Sequence, residues 1–443
     1  MGERLRSSVF CLACLVGFST SADAQQALTL ERALSLARAH NRDLQAARAR
    51  IASAEAGVEQ VRSALWPTVQ VQGKYTHNVP EVAFEMPGFD TMGNQVAGST
   101  AVITPADQLD AALTGTVPLV VPSAYPAIAA AEKRKLAEAY EVRVTETQLL
   151  YTTARAFFTA ASAEESLATR AHAIGVAERT LEVAQARLEA GTATQVEVTR
   201  ARVALLRARQ AEREAQAARE DAYAQLATLI RTDGALRVMP AEDDEQAPLA
   251  TDTLAAQARA QRPELAAQQQ RIEALSAEAD ALAYRWAPTL SAFGSARAFN
   301  YAGFSGQHTA LAFGLQLDWL AYDGGARDAE RHALEAQVRE LLLQRDQLHH
   351  AIDDEVRQAA RAVEVSRTAV ETTELALALS QETLELVRAQ YEAGAVPQIE
   401  LLTAQDGLVA AQVARARARF DLALSRLSLA RSAGTFPGLR RDQ

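Results

Sequence analysis

Apolar and polar residues alternate strictly in a few short stretches of the chain, and elsewhere they follow helical spacing. From Thr309 to Trp319, Leu311, Phe313, Leu315, Leu317 and Trp319 face one way; Ala312, Gly314, Gln316 and Asp318 face the other. A period of two predicts a strand with one apolar and one polar face. Thr68 to Thr76 repeats this, with Val69, Val71 and Tyr75 opposed to Gln70, Gln72, Lys74 and Thr76. Leu113 and Val117, opposed to Thr114 and Thr116, predict a third strand. Leu290 to Tyr301 predicts a fourth, whose mixed faces leave it unoriented.

The helical segments are very long. Pro126 to Ala190 contains no further Pro and one Gly, Gly175; Ala326 to Ala393 contains neither. At 1.5 Å per residue, about 65 residues make a helix of roughly 100 Å, far beyond an ordinary globular helix. Leu377, Ser380, Leu384, Val387 and Tyr391 recur at steps of three and four, a coiled-coil-like stripe. Arg155, Glu164, Arg170, Glu330, Arg339 and Glu340 read as solvated outer faces. Shorter helices are predicted over about 42–65 and 263–286, each ended by a Pro that cannot continue the bonding.

These elements occur twice in the same order. Asn41-Arg42-Asp43-Leu44 and Trp66-Pro67-Thr68 are echoed by Arg262-Pro263-Glu264-Leu265 and Trp286-Ala287-Pro288-Thr289. Thr180-Leu181-Glu182, Glu189-Ala190-Gly191, Gln195 and Glu197 are echoed by Thr383-Leu384-Glu385, Glu392-Ala393-Gly394, Gln398 and Glu400. The spacing assigns repeat one to 25–233, an acidic link to 234–250 and repeat two to 251–443, with membrane strands at about 67–119 and 288–321. Residues 77–107 hold Pro80, Pro87, Gly88, Gly93, Gly98 and Pro105, and read as a long exposed loop.

Strands of about ten residues with one apolar face suit a transmembrane β-barrel with a wet lumen. Four strands cannot close one, since about eight are needed, and lipid does not tolerate open sheet edges. Other copies must complete the barrel; three would give twelve strands.

Composition narrows the function. The net charge is −10 and aromatics make up 5% of residues, which disfavours a nucleic-acid partner and favours long helices. Arg4 and Arg6, the apolar run Val9 to Phe18 and Ala22-Asp23-Ala24 form a secretory signal over residues 1–24, with the mature chain at 25–443. Lipid attachment at Cys14 is disfavoured because the apolar run continues past it. Cys11 and Cys14 are the chain's 2 cysteines, so a mature chain starting at Gln25 has no thiolate site. No later stretch has the roughly 20 apolar residues of a membrane helix. No catalytic constellation is present, and no cofactor or metal site is expected: the chain is not read as an enzyme. His349 and His350 are adjacent and face different ways on a helix. Asp353-Asp354-Glu355 reads as a solvated acidic run, and Asp323-Gly324-Gly325 as a turn opening a helix.

The chain resembles the TolC family of outer-membrane efflux and secretion channels. The resemblance rests on Asn41-Arg42-Asp43-Leu44 and its echo, on Trp66-Pro67, on Tyr322-Asp323-Gly324-Gly325-Ala326-Arg327, and on Tyr391-Glu392-Ala393-Gly394. It implies a mainly α fold with a small β part: a long coiled α-helical barrel, and four strands per protomer in a shared twelve-stranded transmembrane β-barrel. It implies a homotrimer in the outer membrane, extending into the periplasm, in contact with outer-membrane lipid. The implied partners are a periplasmic adaptor (membrane fusion) protein and an inner-membrane RND or ABC transporter; nucleic acid is not one. The turns at Gly191, Thr192, Gly394 and Val396 would form the periplasmic tip that meets the adaptor. Glu400, with Glu197 as its counterpart, would form an acidic ring at the pore entrance. Thr403 stands where well-known members carry a further Asp, so the ring is less acidic. Glu400 also suits a solvated first-turn Glu favoured by the helix dipole, and both readings can hold. One alternative is a soluble periplasmic coiled-coil adaptor or scaffold protein, with the strands in a small soluble domain. Another keeps the channel but assigns it to type I protein secretion.

Overall fold

A computed structural model of the chain describes residues 26–232, 236–239, 250–302 and 306–436. The predicted signal at 1–24 and most of the link at 234–250 lie outside them.

In chain order the elements are β1 (Gln26–Leu28), α1 (Leu30–His40), α2 (Arg42–Arg62), β2 (Thr68–His77), β3 (Val82–Phe89), β4 (Gln95–Thr104), β5 (Asp107–Val120), α3 (Ala124–Glu189) and α4 (Gln195–Ile230). Then follow β6 (Leu236–Val238), α5 (Thr251–Gln261), α6 (Pro263–Tyr284), β7 (Thr289–Phe299), β8 (Thr309–Asp318), α7 (Ala326–Glu392) and α8 (Gln398–Ser432). The mainly α architecture with a small β part, repeated twice, is the expected one. Helices α3 and α7 have 66 and 67 residues, about 100 Å each. Sequence reading missed α1, α5 and the short parallel pair β1–β6. Three-residue strands leave no alternation to detect.

Contacts divide the chain into two compact units. One comprises 41–151, 246–368 and 424–443, and contains the main sheet. That sheet is antiparallel throughout, in the order β2-β5-β7-β8. Its register orients β7. Val71, Leu113, Ala296 and Leu311 form one row across the four strands, and Gln70, Thr114, Ser295 and Ala312 form the next. Directly paired residues share a face, so one side is continuously apolar and the other is mostly polar. The apolar side is bare: Phe313 is 90% exposed, Leu311 80% and Val71 79%.

The expected loop at 77–107 is instead a second sheet, the hairpin β3–β4. Pro80 and Pro105 fall outside its strands and Gly93, at φ 81°, forms its turn. Pro87 lies at a register shift between Met86 and Gly88, where Pro is tolerated. The breakers thus punctuate a hairpin without dissolving it.

In the same unit, α5, α6, α7 and the chain after α8 pack Leu254, Ala258, Leu265, Ile352, Val356 and Ala433 into a small core. The acidic run on α7, expected to be solvated, is paired here. Glu355 accepts from Arg262 and Arg431, each at 2.5 Å, and Asp353 lies 3.3 Å from Arg259. A single sequence does not reveal such pairing, because the partners are more than 70 residues away.

The second unit comprises 1–40, 152–245 and 369–423. It holds residues 152–189 of α3, 369–392 of α7, all of α4 and most of α8. Much of its core is alanine, for example Ala184 and Ala201 beside Val198. Small side chains let long helices approach closely.

Candidate functional site: the paired tips and the joint between sheet and helix

Two glycine turns end the long helices of the second unit. At the first, Gly191 has φ 75°, its N–H donates to Leu188 O at 2.9 Å, and Thr192 N–H donates to Arg187 O at 2.8 Å. At the other, Gly394 has φ 77°, its N–H donates to Tyr391 O at 3.0 Å, and Ala395 N–H donates to Gln390 O at 2.8 Å. A left-handed residue after a helix satisfies the last carbonyls and favours glycine. The two tips stand level. The Arg187 guanidinium lies 4.7 Å over the Tyr391 ring, and Gln405 Nε2 donates to Thr180 Oγ1 at 3.1 Å.

The six predicted tip residues therefore gather in one unit. Gly191, Thr192 and Gly394 are exposed and Val396 is half-buried. Thr192 Oγ1 donates to Arg187 O at 3.1 Å. The two glutamates differ. Glu197 turns back as a capping-box acid, and its Oε1 accepts from the Thr194 N–H at 3.3 Å. The matching residue in the second tip is Pro397, which has no N–H to offer. Glu400 is exposed, and among the described residues its carboxylate has no partner. Sequence reading paired the two glutamates by spacing and overlooked the cap. Thr194-x-x-Glu197 against Pro397-x-x-Glu400 carried that signal. It also missed Val196 and Ile399, which occupy equivalent positions and are exposed.

Higher on α3, Glu164, expected on a solvated face, accepts from Arg219 Nε at 2.5 Å and from Tyr223 OH at 3.2 Å. Tyr223 OH in turn accepts from the Val238 N–H at 3.0 Å, which ties β6 to α4. Burial and the Glu164 carboxylate push the Tyr223 hydroxyl above its ordinary range; the bond from Val238 opposes them.

In the sheet-bearing unit, Asp323 and Arg327 build the joint from β8 into α7. Gly324 and Gly325 have φ 73° and 88°, and so let the chain turn. Asp323 accepts from the Gly325 N–H at 3.1 Å, the Arg327 N–H at 3.0 Å and Arg327 Nε at 2.7 Å. Arg327 also donates to Arg285 O at 2.8 Å and Leu320 O at 2.7 Å, and lies 3.9 Å over the Trp286 ring. Trp319 Nε1 donates to Trp286 O at 3.1 Å. One guanidinium thus fastens the end of α6, the end of β8 and the start of α7. Desolvation raises the Asp323 carboxyl, but the bonds from Arg327 and Gly325 outweigh it and hold it below the usual carboxylate range.

Trp66, Tyr125, Tyr284, Trp319 and Tyr322 are exposed around the helix-side end of the sheet. Among the described residues no helix is long and apolar enough to cross a membrane, and no three His, Cys, Asp or Glu gather as a metal site.

Solved structures share this fold. The crystal structure of CusC, described with conformational changes accompanying folding and transmembrane channel formation, superposes with a TM-score of 0.76 at 18% identity, covering 91% of this chain and 92% of that one. The Campylobacter jejuni CmeC outer membrane channel gives 0.75 at 14% identity, over 98% and 94%. The open state of the Neisseria gonorrhoeae MtrE outer membrane channel gives 0.72 at 17% identity, over 92% and 89%. Among curated proteins, none matches by sequence. The sequence pattern described as Outer membrane efflux protein matches residues 33–230 and 254–435, which is most of both repeats. On that match, the chain belongs to the outer membrane efflux protein family.

Proposed function

We propose that three copies of the chain form an exit duct in the outer membrane, serving a tripartite efflux or type I secretion system. The observation that carries this reading is the main sheet. It has a bare apolar face, and its edge strands β2 and β8 each pair on one side only among the described residues. In lipid such edges must be paired. Joining β8 of one copy to β2 of the next closes a twelve-stranded barrel, above the minimum for closure. The exposed Trp and Tyr residues at one end of the sheet suit a membrane-interface girdle. The paired tips then meet a periplasmic adaptor, which links the duct to an inner-membrane RND or ABC transporter.

Glu400 lines the entrance in this reading, since its carboxylate is exposed and free whereas that of Glu197 is held by Thr194. Three Glu400 carboxylates near one axis attract cations and repel one another. The test is chromatography with light scattering, then single-channel recording in planar bilayers. Expected are a trimer, discrete conductance, and a loss of cation preference in Glu400→Gln that Glu197→Gln does not reproduce. A monomer recovered without detergent from the periplasm favours the soluble adaptor alternative and overturns the duct. Unchanged selectivity in Glu400→Gln removes the ring.

A further inference from the structure

Strand β7 differs from its neighbours on the polar face of the main sheet. Phe293, Arg297 and Phe299 all stand on that face, and the two phenylalanines are the only aromatic residues that the four strands put there. The side chains beside them are mostly small. Phe293 lies between Thr116 and Gly314, and Arg297 between Ala112 and Ala310. A Cβ at Gly314 would meet the Phe293 ring at 3.2 Å, so that ring lies across β8, along the wall of the sheet. Phe299 is half-buried, and its ring centroid lies 5.6 Å from that of Tyr301, whose hydroxyl accepts from Gln108 Nε2 at 2.9 Å. A face that meets water gains nothing from such rings unless something apolar covers them.

The charges on this face leave one cation over. Lys74 and Asp110 lie opposite each other in one row, and Asp110 accepts from Gln108 Nε2 at 2.9 Å. Asp318 accepts from Gln316 and lies eight residues along β8 from Ala310, the neighbour of Arg297 (318 − 310), which is roughly 26 Å at the rise of a strand. Arg297 is exposed and has no partner among the described residues. Its planar fork suits the two oxygens of an acid group, and its flat face stacks on aromatic rings.

We propose that β7 is a solute track on the wall of the duct and that it takes planar aromatic acids: Phe293 and Phe299 stack on the ring, and Arg297 binds the acid group. The inference rests on the duct reading above, which turns the polar face to the lumen, and names a substrate class for it. The spacing fits that class. Arg297 is two residues from Phe299 and four from Phe293, about 7 and 13 Å along the strand. A fused-ring acid stacked on Phe299 therefore places its acid group at Arg297 in the same pose, and Phe293 offers a further platform along the path. Stacking of this kind tolerates many ring systems, because each has a π-face.

The test records the reconstituted full-length channel in planar bilayers with millimolar naphthalenesulfonate on both sides. Methanesulfonate, which has the charge but no ring, is the control. Supplied from both sides, the probe reaches the track without crossing the acidic entrance. Transient current blocks are expected with naphthalenesulfonate alone. Arg297→Gln, Phe293→Ala and Phe299→Ala should each shorten them about threefold, and Arg297→Lys should restore only part of the duration. Discrete conductance in plain salt shows that a variant still forms its barrel. Blocks that are absent in the wild type, or equally long in all three variants, overturn the track while the conductance leaves the duct standing. A wild-type chain without discrete conductance overturns the duct and the track with it.

Discussion

Arg327→Met isolates the joint between sheet and helix. Met keeps an apolar stem of similar length but removes every donor. In the wild type the guanidinium side chain is 7% exposed and is the partner of two backbone carbonyls, Arg285 O and Leu320 O. Each carbonyl left without its partner costs about 1–3 kcal/mol. Losing the stack on Trp286 adds roughly 0.5–2 kcal/mol. These terms share one side chain and do not add fully, so the expected loss is about 4 kcal/mol. Asp323 retains its bonds from the Gly325 and Arg327 N–H groups, so the helix start survives and the damage falls on the junction. Arg327→Lys keeps the charge but not the fork, and should recover less than half of the loss. The assay is guanidinium unfolding of the lipid-reconstituted protein followed by tryptophan fluorescence. Two of the chain's 3 tryptophans, Trp286 and Trp319, sit in the joint and report on it directly. A loss of this size moves the midpoint by roughly 0.5–1 M. A Met variant within about 1 kcal/mol of wild type, or full rescue by Lys, refutes the view that the forked bonds fasten the joint.

Other outcomes follow from single positions. Gly394→Ala meets no atom within 4 Å of the added Cβ, so its cost is torsional alone, about 1 kcal/mol at φ 77°; a larger drop in thermal midpoint would mean that an unseen contact exists at the tip. The lowered pKa of Asp323 means that the folded state holds the carboxylate better than the unfolded chain does. Its contribution is complete above the ordinary range, near pH ~4, and fades as pH falls through the folded-state value. Asp323→Asn should therefore destabilise the protein at neutral pH and flatten the acid limb of its stability profile; an acid limb identical to wild type contradicts this assignment.

How much of this was legible in the sequence depended on range. The long helices were, because absence of Pro over some 65 residues is a one-dimensional property. The strands β2 and β8 were, because both carry strict alternation. Strand β7 was not orientable, since Phe293 and Arg297 lie on the same face and Gly294 and Ala296 on the other. Only its pairing with β5 and β8 decides its sides. The hairpin β3–β4 was not legible, because its segment carries the Pro and Gly content of a loop and only the pairing of its two strands shows a sheet. The fastening residues were hidden for a different reason. Arg327 with Arg285, Glu355 with Arg431, and Glu164 with Arg219 are joined across 42 to 76 residues, and a charged residue on a helix looks solvated until its partner is in view.

The repeats share a skeleton but not a chemistry, and the differences fall where the halves would otherwise be interchangeable. The break between the first two helices is capped by Asn41 in one half, whose Oδ1 accepts from the Asp43 and Leu44 N–H groups. In the other half Pro263 starts the helix and frees residue 262 from capping, so Arg262 is instead spent on Glu264 and Glu355. At the tips Thr194 engages Glu197, while Pro397 leaves Glu400 free. The two prolines act from different positions. Pro263 is the first helical residue and sets the first turn without a side-chain cap, whereas Pro397 stands at the cap position, where its missing N–H leaves Glu400 without the bond that holds Glu197. In a ring of three chains the six tips would have near-equal backbones but alternating electrostatics, with three bound and three free carboxylates. Restoring the cap by Pro397→Thr should engage Glu400 as Glu197 is engaged. It should lower cation preference in single-channel recordings without changing the charge of the chain, which separates where the carboxylate points from whether it is there.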